Sequence, residues 1–181
     1  MKAVLDACVL YPTVLREILT GLAARGGFTP LWSPRILGEW EHAAARLGPK
    51  GAAIAAGEIA LLRAGFPHAE CAADPALEAR LHLPDPADTH VLATAIAGGA
   101  DVIITLNLRD FPTRALAPEG IAARSPDDFL MAFWLADPKL VGAVVAKVQT
   151  RTETISGRPQ PLRALLRRAK LPRLGKALAS P

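Results

Sequence analysis

The chain is poor in the residues that would cross-link it or build a thiolate metal site. Its 181 residues include two cysteines, Cys8 and Cys71. Neither belongs to a CxxC pair, which excludes the common zinc and dithiol motifs. Aromatic residues make up 5% of the chain, too few for an array of stacking platforms for bases. No apolar run approaches the ~18 residues of a membrane span. The start, MKAVLDACVL, carries an Asp inside a short apolar run and lacks a cleavage site, so no secretory signal is expected. The expected setting is cytoplasmic, with reduced thiols. Acid is scarce at one end. From Pro138 to Pro181 one acid, Glu153, faces ten Lys or Arg, a net charge of +9. The whole chain is +4, so the first 137 residues are at −5. An acidic body with a basic tail suggests nucleic acid or an acidic partner, or else a solvated helical face.

What is present is a 51% hydrophobic composition dominated by alanine and leucine, enough for a buried core. Lys2 to Leu5 reads as a buried strand ending near Asp6. Pro12-Thr13 opens a helix whose apolar residues fall at helical spacing, stopped by Gly26-Gly27. Phe28 to Trp32 reads as a second strand. Ser33-Pro34 supplies an N-cap and a first-turn proline for the helix that follows. Ala52 to Ala64 reads as another helix, and His68 to Ala73 as an edge strand. Asp85 caps a further helix, with Asp88 in its first turn and Gly98-Gly99 at its end. DVIITL from Asp101 is a central parallel strand by its β-branched run. Ile121 to Ala123 adds a last strand, and Ser125 caps a helix through Leu135. Alternating strands and helices imply βαβ units and a parallel sheet. The strand signal ends near Asp137. The expected organisation is a body over 1–136 and a basic helical extension over 137–181.

In an open parallel sheet, ligands bind beyond the carboxyl ends of the strands. Asp6 ends the first strand, and Asn107 follows the DVIITL strand. If those strands are neighbours, both polar groups enter one crevice. Asp88 can reach it from a helix start, and Glu39 from one turn inside the helix capped by Ser33. Crowded carboxylates repel unless a cation lies between them. Oxygen donors without His or Cys favour Mg²⁺ or Mn²⁺ over zinc. Such a site suits phosphodiester hydrolysis. Each residue also has a plainer explanation. Asp85 is a cap, Asp88 favours a helix dipole, Glu39 can be solvated like Glu41, and Thr105, Asn107 and Asp110 can serve turns.

Four segments resemble the PIN-domain family, and in particular its VapC-like toxin ribonucleases: VLDACVLYP, SPRILGEW, LPDPADTHVLATAIAGGADVIITLNLRDFP and SPDDFL. They span about residues 1 to 130. The C-terminal AKLPRLGKAL is similar to the tail of a subgroup of longer PIN proteins. The resemblance implies a three-layer α/β/α domain with a parallel sheet, followed here by a C-terminal helical extension. It implies Mg²⁺- or Mn²⁺-dependent RNA cleavage, an antitoxin partner and a homodimer. The family's acids match Asp6, Glu39 and Asp88. Where the family commonly has a fourth Asp, this chain has Asn107, and Asp110 three residues on is the substitute. That departure favours one ion over two. Thr105 matches a small hydroxyl residue of the family that orients water or phosphate.

The expected function is therefore a metal-dependent endoribonuclease of toxin type. Asp6, Glu39, Asp88 and Asp110 would bind metal, with Asn107 and Thr105 completing the catalytic set. Arg109, Arg163, Arg167 and Arg168 would hold the RNA backbone. The rival is a catalytically weakened PIN module that binds RNA or a partner. A receiver- or phosphatase-type site is disfavoured, because Ala7 and Cys8 stand where its second Asp would be.

Overall fold

The computed structural model describes residues 1–179. In chain order the elements are β1 (Lys2–Leu5), α1 (Ala7–Leu10), α2 (Thr13–Ala23), β2 (Thr29–Leu31), α3 (Pro34–Ala45), α4 (Pro49–Gly65), α5 (Pro75–Glu78), α6 (Thr89–Gly98), β3 (Val102–Ile104), α7 (Thr113–Leu116), β4 (Ala122–Arg124), α8 (Pro126–Ala136), α9 (Pro138–Ser156), α10 (Leu162–Arg168) and α11 (Pro172–Leu178). Short 3₁₀ turns lie at Pro86–Asp88, Leu108–Asp110 and Ala117–Glu119. The fold is a parallel four-stranded sheet flanked by helices, with further helices after it. This is the α/β class expected.

The elements gather into two compact units. One is Met1–Tyr11 with Phe28–Arg124, and the other is Pro12–Gly27 with the chain from Ser125 on. This partition cuts across the boundary at residue 136 expected from the sequence. The physical reason is helix packing. Helix α2 packs along α9, and Arg151 Nε of α9 lies 3.3 Å from Glu17 Oε1 of α2. Helix α8 packs on α9 and α11.

In the first unit the strand order is β2-β1-β3-β4, all parallel. Ala3 pairs with Val102, Val4 with Ile103 and Leu5 with Ile104, so the carboxyl ends of β1 and β3 are level. The Asp6 amide donates to the Ile104 carbonyl at 3.2 Å and carries the pairing one residue further. Ala3 to Leu5 and Val102 to Ile104 are all buried, as central parallel strands must be.

Helix α6 packs on β1 and β3. It is buried from Thr89 to Ala95, on every side rather than along one stripe, and holds Thr89, His90 and Thr94 within that buried stretch. Its entry is stepped. Asp85 accepts from the Ala87 amide at 2.9 Å, the 3₁₀ turn carries the chain to Asp88, and the α-helix begins at Thr89. Asp88 therefore occupies the cap position instead of a place inside the first turn. The exit needs two glycines for different reasons. Gly99 has φ +61, and a Cβ on Gly98 would lie 2.7 Å from Leu31 Cδ1. Helix α3 starts as expected, with Ser33 Oγ accepting from the Ile36 amide at 3.2 Å, and it packs on α1 and α4.

The expected edge strand at His68 to Ala73 does not form. A single parallel bridge joins Trp32 to Glu70. Two hydrogen bonds make it, Trp32 N to Ala69 O at 3.0 Å and Cys71 N to Trp32 O at 2.8 Å. Pro67 and the adjacent turn leave too few free residues to extend the ladder.

In the second unit, Ser125 Oγ accepts from the Asp128 amide at 3.1 Å and caps α8. Asp127 is buried and accepts from the amides of Arg173 (2.9 Å) and Leu174 (3.0 Å), at the start of α11. Arg173 also pairs with Asp128. Among the described residues, no helix is long and apolar enough to cross a membrane.

Candidate active site

Asp6 is the best-held of the candidate residues. It stands at the N-cap position of α1 in extended backbone, yet its side chain makes no capping bond. Its Oδ2 instead accepts from Thr105 Oγ1 at 2.6 Å and from Cys8 Sγ at 3.0 Å. Thr105, fully buried at the end of β3, also accepts from the Asn107 amide at 3.0 Å. Its proton is thus given to Asp6. Cys8 Sγ accepts from the Leu106 amide at 3.2 Å. Burial, and then the Asp6 charge, push the Cys8 thiol up to about 12. It stays an S–H donor to the carboxylate. Two donors on Oδ2 fix the carboxylate plane and leave Oδ1 for another ligand.

Asp88 is where the acids converge. Its carboxyl is raised from the usual 3.8 to about 6, first by burial and then by the charges of Asp6, Asp85, Asp110 and Glu39. Five carboxyls thus share one electrostatic neighbourhood beyond the carboxyl ends of β1 and β3. The consequence for metal-free stability has a definite sign. The folded chain holds a proton on Asp88 between pH 3.8 and about 6 that the unfolded chain releases. Stability therefore falls as pH rises through that window, and the full penalty stands above pH 6. Asp88→Asn should stabilise the chain in EDTA at pH 7 by about 1–2 kcal/mol, allowing for solvent screening, with no gain below pH 4. Urea denaturation at the two pH values measures it.

Glu39 lies on α3 with Oε1 facing a guanidinium and an imidazole. Arg35 Nε is at 3.8 Å and His90 Nε2 at 2.7 Å. The histidine approach is short but lies off the direction of a hydrogen bond, and both ring nitrogens are buried without a hydrogen-bond partner among the described residues. Arg35 also pairs with Glu78 at 2.8 Å and donates to the Ala87 carbonyl at 3.4 Å, bracing the segment before Asp88. Asp110 and Arg109 sit on the 3₁₀ turn after β3, with Asp110 half-buried and Arg109 exposed. Asn107 is exposed, and the contribution seen is its backbone amide on Thr105. Cys8 and His90 are the residues the sequence reading passed over. Their signal was proximity, since each stands two residues after an acid, Asp6 and Asp88.

A family model described as PIN domain matches residues 2–109, more than half of the chain. The chain belongs to the PIN-domain family. A protein of Mycobacterium tuberculosis named "Putative ribonuclease VapC50" is 54% identical over 44 residues, which are 24% of this chain and 26% of that protein. The chain thus matches about a quarter of that relative's length. No solved structure gives a significant match.

In this PIN domain the acids Asp6, Glu39, Asp88 and Asp110 are brought together by the β1–β3 pairing, α3, α6 and the turn after β3. Among the described residues, no three His, Cys, Asp or Glu side chains already stand close enough to hold a metal ion. The donor set nevertheless fits a hard divalent cation. It is made of carboxylate oxygens, and its negative charge adds to burial in raising Asp88. The other basic candidates belong to the second unit. Arg163 and Arg167 line a recess of about 380 Å³ with Pro161, Ala164 and Pro172. Arg168 is engaged differently, donating to the buried Gln160 Oε1 at 2.6 Å, so it serves the helix pair.

Proposed function

We propose that this PIN domain is a Mg²⁺- or Mn²⁺-dependent endoribonuclease, the toxin of a toxin–antitoxin pair. The observation that carries this is the gathering of Asp6, Asp110 and Glu39 around Asp88, whose carboxyl is raised to about 6 first by burial and then by these charges and that of Asp85. The partial likeness to a protein named as a ribonuclease supports the substrate class. Asp6, Glu39, Asp88 and Asp110 would hold the ion. When bound, the ion supplies charge neutralisation and Lewis-acid assistance to phosphodiester hydrolysis. The protein's own part is orientation. Thr105 and Cys8 fix Asp6, Asp85 fixes the turn that presents Asp88, and Asn107 lends its amide to Thr105. Arg109, exposed beside Asp110, holds the RNA backbone at the site, and Arg163 and Arg167 hold it at the second unit. These contacts should weaken with salt. An antitoxin partner, a homodimer and a cytoplasmic setting follow from the same family reading.

A second reading has one observation in its favour. Asn107 occupies the place of the expected fourth acid, which fits a weakened module that binds RNA or a protein partner. Metal removal separates the two. The chain stripped with EDTA should lose RNA cleavage by about 100-fold or more and regain it with Mn²⁺. Cleavage indifferent to EDTA would overturn the proposal. Retained RNA binding with no Mn²⁺ binding by calorimetry would favour the weakened module.

A further inference from the structure

The geometry points to His90 as the positioning residue for Glu39. This rests on the metal-dependent site proposed above and deepens it. His90 is 3% exposed, in a stretch of α6 where every residue from Thr89 to Ala95 is buried. An aliphatic side chain would fill that place with no polar atom to satisfy. A buried imidazole without a hydrogen-bond partner for either nitrogen costs stability. Glu39 Oε1 lies 2.7 Å from its Nε2. A small rotation of the ring or the carboxylate makes that contact a hydrogen bond, with the proton on Nε2.

Arg35 is not an adequate substitute. Its Nε lies 3.8 Å from the same oxygen, its side chain is half exposed, and Glu78 takes its stronger contact. A solvent-exposed pair at that distance holds geometry weakly. The result is a carboxylate gripped at Oε1. Among the described residues, nothing engages Oε2. Glu39 belongs to α3, whereas Asp88 stands at the cap of α6, two residues before His90. The histidine therefore ties the acid of one helix to the helix that presents the other. Partners of this kind behind a metal ligand fix its orientation, and their loss costs roughly 10–100-fold in metal affinity.

The test uses the full chain with Mn²⁺ alone as the probe, read by calorimetry, with thermal melting to confirm folding. His90→Leu should weaken Mn²⁺ binding by about 10–100-fold. His90→Gln, which places an amide N–H near the position of Nε2, should recover most of the loss. His90→Asn, with the same group on a shorter arm, should not. The effect must pass through Glu39, so His90→Leu should add nothing in a Glu39→Gln background. With RNA, kcat should fall while KM holds, because the defect lies in the acid cluster. Unchanged Mn²⁺ affinity in a folded His90→Leu or His90→Asn chain would overturn the inference and leave the nuclease reading standing. So would an equal loss in the Glu39→Gln background. Absence of Mn²⁺ binding by the wild-type chain would overturn the nuclease reading itself and this inference with it.

Discussion

Asp6→Asn should lower Mn²⁺-dependent RNA cleavage by at least about 100-fold while leaving the chain folded. The size follows from place. Loss of an outer partner of a ligand already costs 10–100-fold, and Asp6 is proposed as a ligand itself. The fold survives because Asn keeps the shape of the side chain and an oxygen that can still accept from Thr105 and Cys8. What disappears is the negative charge, one of those that raise Asp88. Asp88 should accordingly titrate lower in the variant, which NMR of the carboxyl can follow. Asp101 supplies the control. It stands at the opposite end of β3, where its Oδ2 accepts from the Lys2 amide at 2.7 Å. Asp101→Asn should leave cleavage unchanged. Full activity in the Asp6 variant, with the melting temperature intact, would remove the basis for the proposed mechanism.

The carboxyl-end placement of Asp6 was legible because strand patterns are local. Lys2 to Leu5 and DVIITL read as buried strands by composition alone, and the acid after the first declares where that strand stops. The neighbour relation of β1 and β3 was only a condition in the sequence, and the paired register now supplies it. Thr105 and Asn107 show the limit of such reading. Both were placed in the catalytic set by the family resemblance, while their position after the strand equally allowed turn hydrogen bonds. In the fold, the hydroxyl of one holds Asp6 and the amide of the other holds that hydroxyl. Hydrogen bonding between residues 99 positions apart has no periodic signature. Cys8 and His90 were opaque for a related reason. Inside apolar runs, a thiol or an imidazole registers only as volume.

The division of the chain into units was the least legible feature. Helix α2 stands between β1 and β2 in the chain, so its amphipathic pattern gave every reason to count it with the sheet. Its packing against α9, more than a hundred residues later, depends on surface complementarity that no window can see. Arg16 is an example. It is buried in the first turn of α2, where spacing alone would place a solvated charge. The basic tail was read as a surface for nucleic acid or an acidic partner, or else as a solvated face, and its Arg163, Arg167 and Arg168 were assigned to RNA. Arg168 instead belongs to a network around Gln160, which also takes Glu153 Oε1 at its amide at 2.8 Å. Basic composition thus overstates the charge left for a ligand, and Arg163 and Arg167 remain as the candidates.

Asp127→Ala should be the most destabilising of the single changes considered, by about 3 kcal/mol. SPDDFL suggests a helix start with two acids in its first turn, where helix-dipole attraction would be worth well under 1 kcal/mol each. The structure gives those acids unequal work. Asp128 is exposed and pairs with Arg173 at the surface, so its loss should cost little. Asp127 is 6% exposed, and its two oxygens satisfy the amides of Arg173 and Leu174. Those amides belong to the first turn of α11, where no helical carbonyl can reach them. Truncation leaves both donors unsatisfied, the one on buried Leu174 without water to replace the carboxylate. Asp127→Asn should cost less, since one oxygen remains, but its NH₂ group faces an amide donor. The loss should appear locally first. Hydrogen exchange of α11 amides in Asp127→Ala should approach that of an exposed segment, while exchange of β1 and β3 stays slow. Unchanged protection of Leu174 and its neighbours would show that α11 is held by its apolar contacts alone, and that Asp127 is dispensable to it.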